Sequence, residues 1–261
     1  MSRRLIQLLS DNRRPFVPMA SHIRAAANEA TIYLYDAIVS DRATAEWWGG
    51  VCPQDFVPAL AALEVDTIHL RINSPGGDVF AAESMCQALR EHPARIVGHI
   101  DGVAASAATA IACACDDTVM SSGAMYMIHQ SWTFAWGNAD EMEATVALLR
   151  KVDGVLAGQY VATTGKALEQ VQAWMKAETW FTAQEAVEAG FVKAIAGSME
   201  PDDDEDDTQA RGAWNLRAYA RAPARLQSSA RLPQIPAYAT ADHRHRIEQR
   251  LRLAQVLHPV E

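Results

Sequence analysis

The sequence predicts an α/β fold built on a parallel sheet, and three observations predict it. Runs with the β-branched and aromatic content of strands recur at "TIYLYDAI" (31–38), "DTIHLRI" (66–72) and "RIVGHI" (95–100). Helix-type segments lie between them. The junction "SPGGDVFAAE" (74–83) passes from strand to helix through one tight turn. Strand, helix, strand, helix in chain order requires parallel pairing, with helices packed on the sheet faces.

The elements follow in order. Residues 1–29 mix polar and apolar positions without a clear period and are expected to form an N-terminal arm. A strand at 31–38 opens the domain, and "PQDFVPALAALE" (53–64) reads as a helix despite Pro58. The strand at 66–72 feeds the Gly-Gly turn, and the helix of 79–91 stops before Pro93. After the strand at 95–100 comes an Ala-rich helix around 104–115, then "TVM" and "MYMI" (125–128) as short strands. Asn138 is a plausible N-cap for a long helix to about Thr163, where Thr-Thr-Gly stops it. Apolar positions Val146, Leu148, Leu149, Val152 and Val155 suggest that this helix has a buried face. "TAQE" (182–185) is a capping box before a short helix ending at Gly190, and "FVKAI" (191–195) supplies a last strand.

Composition breaks after Ala196. "EPDDDEDD" (200–207) places seven acidic residues in eight positions, a run that repels itself and builds no core. The Arg- and Ala-rich stretch beyond it carries three prolines. Residues 197–261 are therefore expected to be an acidic linker and a largely disordered tail, with a weak helix at 241–256. The domain proper is 30–196.

Bulk properties exclude several classes. The chain has 261 residues, 49% hydrophobic and 21% charged, as an ordinary globular protein does. A net charge of −9 disfavours nonspecific nucleic-acid binding. No stretch approaches the ~20 apolar residues of a membrane span. The basic start "MSRRLIQLLSDNRRP" has too short an apolar run for a signal sequence. Cys52, Cys86, Cys113 and Cys115 lack zinc-site spacing and read as small buried thiols in a reducing compartment. A cytoplasmic location is expected, with neither metal nor cofactor.

Gly76 and Gly77 resemble a phosphate-cradling loop, but Lys-Ser/Thr and G-x-G-x-x-G are both missing. Bare backbone N–H groups at a helix start also serve to stabilise an oxyanion. Ser106 follows a strand, opens an Ala-rich helix and has only small or apolar neighbours. A nucleophile suits that place, although an N-cap or a packed serine explains it equally well taken alone. A serine nucleophile needs a base. His129 ends the next strand of the same sheet, and parallel strands bring their C-terminal ends to one edge, so the two can meet there. An orienting carboxylate completes such a set, and Asp101, Asp116, Asp140, Glu141 and Glu178 all remain open.

In combination, "INSPGGDVFAAESM", "GVAASAATA", "MIHQ", the long helix and "ETWFTAQEAVEAGFV" resemble the ClpP-type serine peptidases over residues 30–196. The wording of "TIYLYDAI", "WWGGV" and "HIDGVAASAA" is similar to the phage head-maturation (prohead) branch. The resemblance implies a ClpP/crotonase-like fold of repeated βαβ units with a protruding handle helix. It implies Ser106 as nucleophile, His129 as general base and Glu178 as the acidic third member, where the family commonly has Asp. The oxyanion hole would be the N–H groups of Gly77 and Ala107. Polypeptide substrates, with scaffold and capsid precursors among the candidates, and a homo-oligomeric ring are implied as partners.

Four other readings compete. A cellular ATP-dependent protease subunit is the main rival within the peptidases, but the acidic-then-basic tail and "WWGGV" fit it less well. An idle structural ring subunit predicts loss of Ser106 or His129, and both are present. A crotonase-type acyl-CoA enzyme does not rely on a Ser–His pair. A membrane-bound signal peptide peptidase relative would need an anchor and a lysine base.

Overall fold

The computed structural model describes residues 3–196 and 214–227. Its frame is a sheet whose strands alternate with helices, as the sequence predicts. Helix α1 (Arg3–Asp11) precedes strands β1 (Ile23–Ala25) and β2 (Glu29–Leu34). Helices α2 (Arg42–Trp48) and α3 (Pro53–Ala61) lead to β3 (Thr67–Ser74) and α4 (Val79–Glu91). The long strand β4 (Arg95–Ala105) runs into α5 (Ala107–Cys113), followed by β5 (Asp117–Ser121) and β6 (Met125–Ile128). Helix α6 (Ala139–Thr164), α7 (Leu168–Ala177), β7 (Thr179–Thr182), α8 (Ala183–Ala189) and β8 (Ala194–Ala196) complete the series.

Among the described residues the strand order is β1-β2-β3-β4-β5-β8, with β6 on β4 and β7 on β6. Pairing is parallel from β2 to β5, while β1–β2 and β6–β7 are antiparallel. On the side away from β3, β4 serves two neighbours. Val97–Ile100 pairs with β5, and Val103–Ala105 pairs with β6. This division brings the ends of β4 and β6 together.

One face of the sheet is closed by helices. Ile68, Leu70, Ile72, Ile96 and Ile100 alternate inward and meet Ala81, Ala82, Met85, Cys86 and Leu89 of α4. Helix α5 is almost wholly buried, which explains its alanines: larger side chains would not fit between sheet and helices. Cys52 and Cys86 are buried, and Cys113 and Cys115 half-buried, all as free thiols. Among the described residues, no helix is long and apolar enough to cross a membrane.

Three expectations need correction. Helix α6 begins at the expected Asn138, whose side chain and Glu141 form a reciprocal capping box. Yet its apolar positions do not form one buried face: Val146, Leu148 and Val155 are exposed, while Val152 packs on the core. Its 26 residues extend ~39 Å, and only the C-terminal half, through Leu156, Ala157 and Tyr160, lies on the domain. The expected arm contains α1, with Leu8 and Leu9 buried. The expected disordered tail contains a packed segment at 214–227, where Trp214, Leu216, Ala218, Tyr219 and Ala222 are all buried. The acidic run 200–207 and the weak helix at 241–256 lie outside the described residues.

Candidate active site

The register of β4 on β6 sets Val103, Ala104 and Ala105 opposite Met125, Tyr126 and Met127. One step further, the Ser106 N–H donates to Met127 O at 2.8 Å. The two strands thus release Ser106 and His129 at the same edge, and His129 Nε2 lies 2.7 Å from Ser106 Oγ. Ser106 is the N-cap of α5 by position, but its side chain makes no capping bond. A mundane N-cap serine would accept a helix N–H; this one turns to an imidazole instead.

The backbone makes that orientation possible. Ser106 has φ 54°, ψ −125°, a conformation costing about 1–3 kcal/mol in a non-glycine residue. The surrounding contacts hold it there. Thr109 donates through N–H (2.9 Å) and Oγ1–H (2.5 Å) to Ser106 O, and Thr109 Oγ1 in turn meets the Tyr160 hydroxyl at 2.7 Å.

The Gly-Gly turn sits against this elbow. A Cβ on Gly76 would lie 2.3 Å from Ala105 O and 2.9 Å from Ser106 Cβ. Gly77 (φ 151°) would place one only 1.9 Å from Ile38 O. The bridge between Ile38 and Gly77 uses Gly76 O and the Asp78 N–H, each at 2.9 Å. In a parallel pairing the intervening residue directs its own N–H to the other side, so Gly77 keeps a free donor. Ala107 is the first residue of α5, where an N–H has no intrahelical acceptor. Among the described residues neither N–H donates a hydrogen bond.

Ser74, fully buried, braces the turn. Its Oγ donates to Asp36 O at 2.6 Å and accepts the Gly76 N–H at 3.2 Å. Ser74→Ala leaves both groups unpaired in the interior and is expected to lower stability by about 1–3 kcal/mol. Urea unfolding of the variant checks this.

The carboxylates open in the sequence now separate. Asp101 is bound to Arg71 and the Tyr35 hydroxyl. Asp116 accepts the Ile96 N–H, Glu141 caps α6, and Asp140 is in the exposed first turn of that helix. Glu178 is different. The antiparallel register of β6 and β7 ends at Ile128 opposite Thr179, and His129 and Glu178 are the residues immediately beyond that pair. Its carboxylate nevertheless accepts the Ala220 N–H (3.0 Å) and the Arg221 N–H (2.5 Å). Among the described residues no carboxylate is hydrogen-bonded to His129. Ser106 and His129 are brought together as expected; Glu178 is adjacent in register but engaged elsewhere.

The His129 ring is 7% exposed and lies between aromatic rings. Trp132 is 4.4 Å and Tyr219 5.3 Å away between centroids, and Trp180 contacts Tyr219 at 6.0 Å. The Tyr219 hydroxyl donates to Pro75 O at 2.5 Å and neighbours Ser106.

The Clp protease family model matches residues 21–199. The chain belongs to the Clp protease family. The ATP-dependent Clp protease proteolytic subunits of Streptococcus pneumoniae strains Hungary19A-6, CGSP14 and 70585 are each 31% identical over 132 residues. The match covers 49% of this chain and 67% of each relative. The mostly parallel sheet and its helices agree with a ClpP-like fold, and membership makes the chain a serine-type peptidase.

Burial dominates the electrostatics of His129. Burial holds the His129 pKa down at about 3, and the nearby Arg4 charge lowers it further, against a raising effect from the Gln130 backbone. The ring is therefore neutral at pH 7 and can accept a proton, and among the described residues no carboxylate is bonded to it to offset the charge of an imidazolium. His99 is also depressed, to about 4, by burial and by Arg71 and His69. In both cases the unfolded chain binds the proton at higher pH than the fold does. Stability is then full above pH 6.5 and falls as pH drops towards 4, by about 1.4 kcal/mol per pH unit for a fully buried site. The half-exposed His99 adds less, because solvent screens it. Urea midpoints between pH 7 and 4 should fall, and His129→Gln should flatten the slope.

Sequence reasoning missed Trp132, Trp180, Arg4 and Tyr219. "AWNLRAYA" (213–220) is an apolar and aromatic burst within an Arg-rich stretch, and that burst was the available signal for Tyr219.

Proposed function

We propose that this chain is a serine endopeptidase with Ser106 as nucleophile and His129 as general base. The 2.7 Å contact between Ser106 Oγ and His129 Nε2 carries this reading. His129 takes the hydroxyl proton as Oγ attacks a peptide carbonyl. The N–H groups of Gly77 and Ala107 receive the developing oxyanion, in keeping with their lack of other acceptors. His129 then protonates the leaving amine, and water releases the acyl-enzyme. We assign Glu178 as the orienting carboxylate, supported by its place next to the Ile128–Thr179 pair that His129 also adjoins. In that role it would offset the imidazolium charge that burial disfavours.

A homo-oligomeric ring is supported by family membership and by the apolar side chains that a single chain leaves in solvent. Met142, Val146, Leu148 and Val155 are exposed on α6, and Phe134 and Trp136 precede it. Within the family we assign the chain to head maturation, cleaving scaffold or capsid precursors, on the wording of "TIYLYDAI" and "WWGGV" and on the C-terminal extension. A cellular proteolytic subunit is the second reading, favoured by the names of the S. pneumoniae relatives. One assay tests both levels. Casein and a capsid-precursor polypeptide are incubated with the protein, with and without a Clp ATPase and ATP. Cleavage of the precursor without ATPase supports head maturation. Cleavage only with ATPase and ATP supports the cellular subunit. Cleavage unaffected by Ser106→Ala overturns the peptidase site.

A further inference from the structure

The segment Trp214–Gln227 lies across the site, far in sequence from everything it touches. Trp214 Nε1–H donates to Asn73, both to the carbonyl (3.2 Å) and to Oδ1 (3.0 Å). The Tyr219 O–H donates to Pro75 O. Asn73 O and Pro75 O are two residues apart at the end of β3, so in extended chain they face the same way. Ser74, between them, pairs with Ala104 of β4. These two carbonyls are the acceptors that an added peptide strand would use beside the Gly-Gly turn. The segment takes them with side-chain donors instead of its own backbone.

Three further contacts make this a built cover. Tyr219 is 2% exposed and is wedged between His129, Trp132 and Trp180. Glu178 accepts the N–H groups of Ala220 and Arg221. Helix α1 locks the segment from outside. Arg217 donates to both oxygens of Asp11 (2.7 and 2.6 Å), and Asn12 and Asn215 exchange two hydrogen bonds (2.9 and 2.7 Å). The Trp180 indole N–H, in ring contact with Tyr219, is buried without an acceptor. A closed state that leaves a donor unpaired is disfavoured by the cost of that donor, and a bound peptide carbonyl would satisfy it.

We propose that Trp214–Gln227 is an intramolecular inhibitor that occupies the peptide cleft over Ser106 and His129 and withholds the Glu178 carboxylate. The proposal rests on the peptidase reading given above. Release of the segment opens the end of β3, beyond its last pair with β2 at Leu34–Ile72, to an extended peptide and frees Glu178 to turn to the nearby His129 ring. It also admits water around His129, whose burial opposes the charged form needed in catalysis.

The test is the rate of fluorophosphonate labelling on the full chain, followed by intact mass. Tyr219→Ala removes the wedge, and Arg217→Glu breaks the outer lock at a half-exposed position without touching the core. Ser106→Ala is the control. Labelling of Tyr219→Ala at least about tenfold faster than wild type is expected, with a smaller rise for Arg217→Glu. A synthetic 214–227 peptide added to Tyr219→Ala should slow labelling again. Equal rates in wild type and both variants, with labelling lost in Ser106→Ala, overturn the inhibitor and leave the peptidase standing. Slower labelling in Arg217→Glu with an unchanged circular dichroism spectrum makes the segment part of the working site and overturns the proposal. No labelling of any protein overturns both readings. If Tyr219→Ala does not fold, the rate for Arg217→Glu alone decides between these outcomes.

Discussion

Ser106→Ala is expected to lower kcat/KM on peptide substrates by about a thousandfold or more, and His129→Ala by nearly as much. The two side chains act as one unit: the hydroxyl is a weak nucleophile without the base, and the base has nothing to deprotonate without the hydroxyl. The double variant should therefore be scarcely worse than either single one. Steady-state kinetics on the Tyr219→Ala background read this without interference from the segment. Additive losses in the double variant would mean that the two residues work separately. The Ser106→Ala fold should survive, because Ser106 Oγ makes no capping bond that alanine would lose.

Gly77→Ala carries the second large effect, and it falls on turnover and stability together. A Cβ there meets the Ile38 backbone carbonyl at 1.9 Å, and φ 151° is strained for any L side chain. Neither atom is the end of a flexible side chain, so the Ile38–Gly77 bridge must separate. The Gly77 N–H then leaves its position beside the Ser106 elbow. Loss of one oxyanion donor is expected to cost about 10²–10³ in kcat, with KM changed far less. Thermal unfolding should also shift down. Gly123→Ala is the matching control: nothing lies within 4 Å of its Cβ, and activity and stability should stay near wild type. A Gly77→Ala enzyme with normal kcat would place the oxyanion donor elsewhere.

These two sites also mark how far the sequence was legible. Strands β3, β4 and β6, the turn at Gly76–Gly77, the Asn138 N-cap and the Thr182 capping box were readable because each depends on local chemistry: alternation, a φ > 0 requirement, a side-chain bond to the helix start. The meeting of Ser106 and His129 followed from one topological rule, that parallel strands end at a common edge. Short elements such as α2, α7 and β7 escaped because they are held by tertiary packing rather than by propensity. The same limit hid the cover. The Asn12–Asn215 and Asp11–Arg217 bonds span more than 200 residues, and no local pattern announces a contact of that range. Reading both chain ends as arm and tail set aside the two segments that converge on the site. The exposed apolar side chains of α6 were misplaced for a related reason. An apolar stripe says that a surface is to be buried, not whether its own chain buries it.

The most direct single measurement is peptide mapping of the fluorophosphonate adduct on the Tyr219→Ala protein. One adduct on the peptide containing Ser106, absent after Ser106→Ala, is the predicted result. An adduct on any other residue, or one that survives Ser106→Ala, would contradict the assignment of Ser106 as the nucleophile.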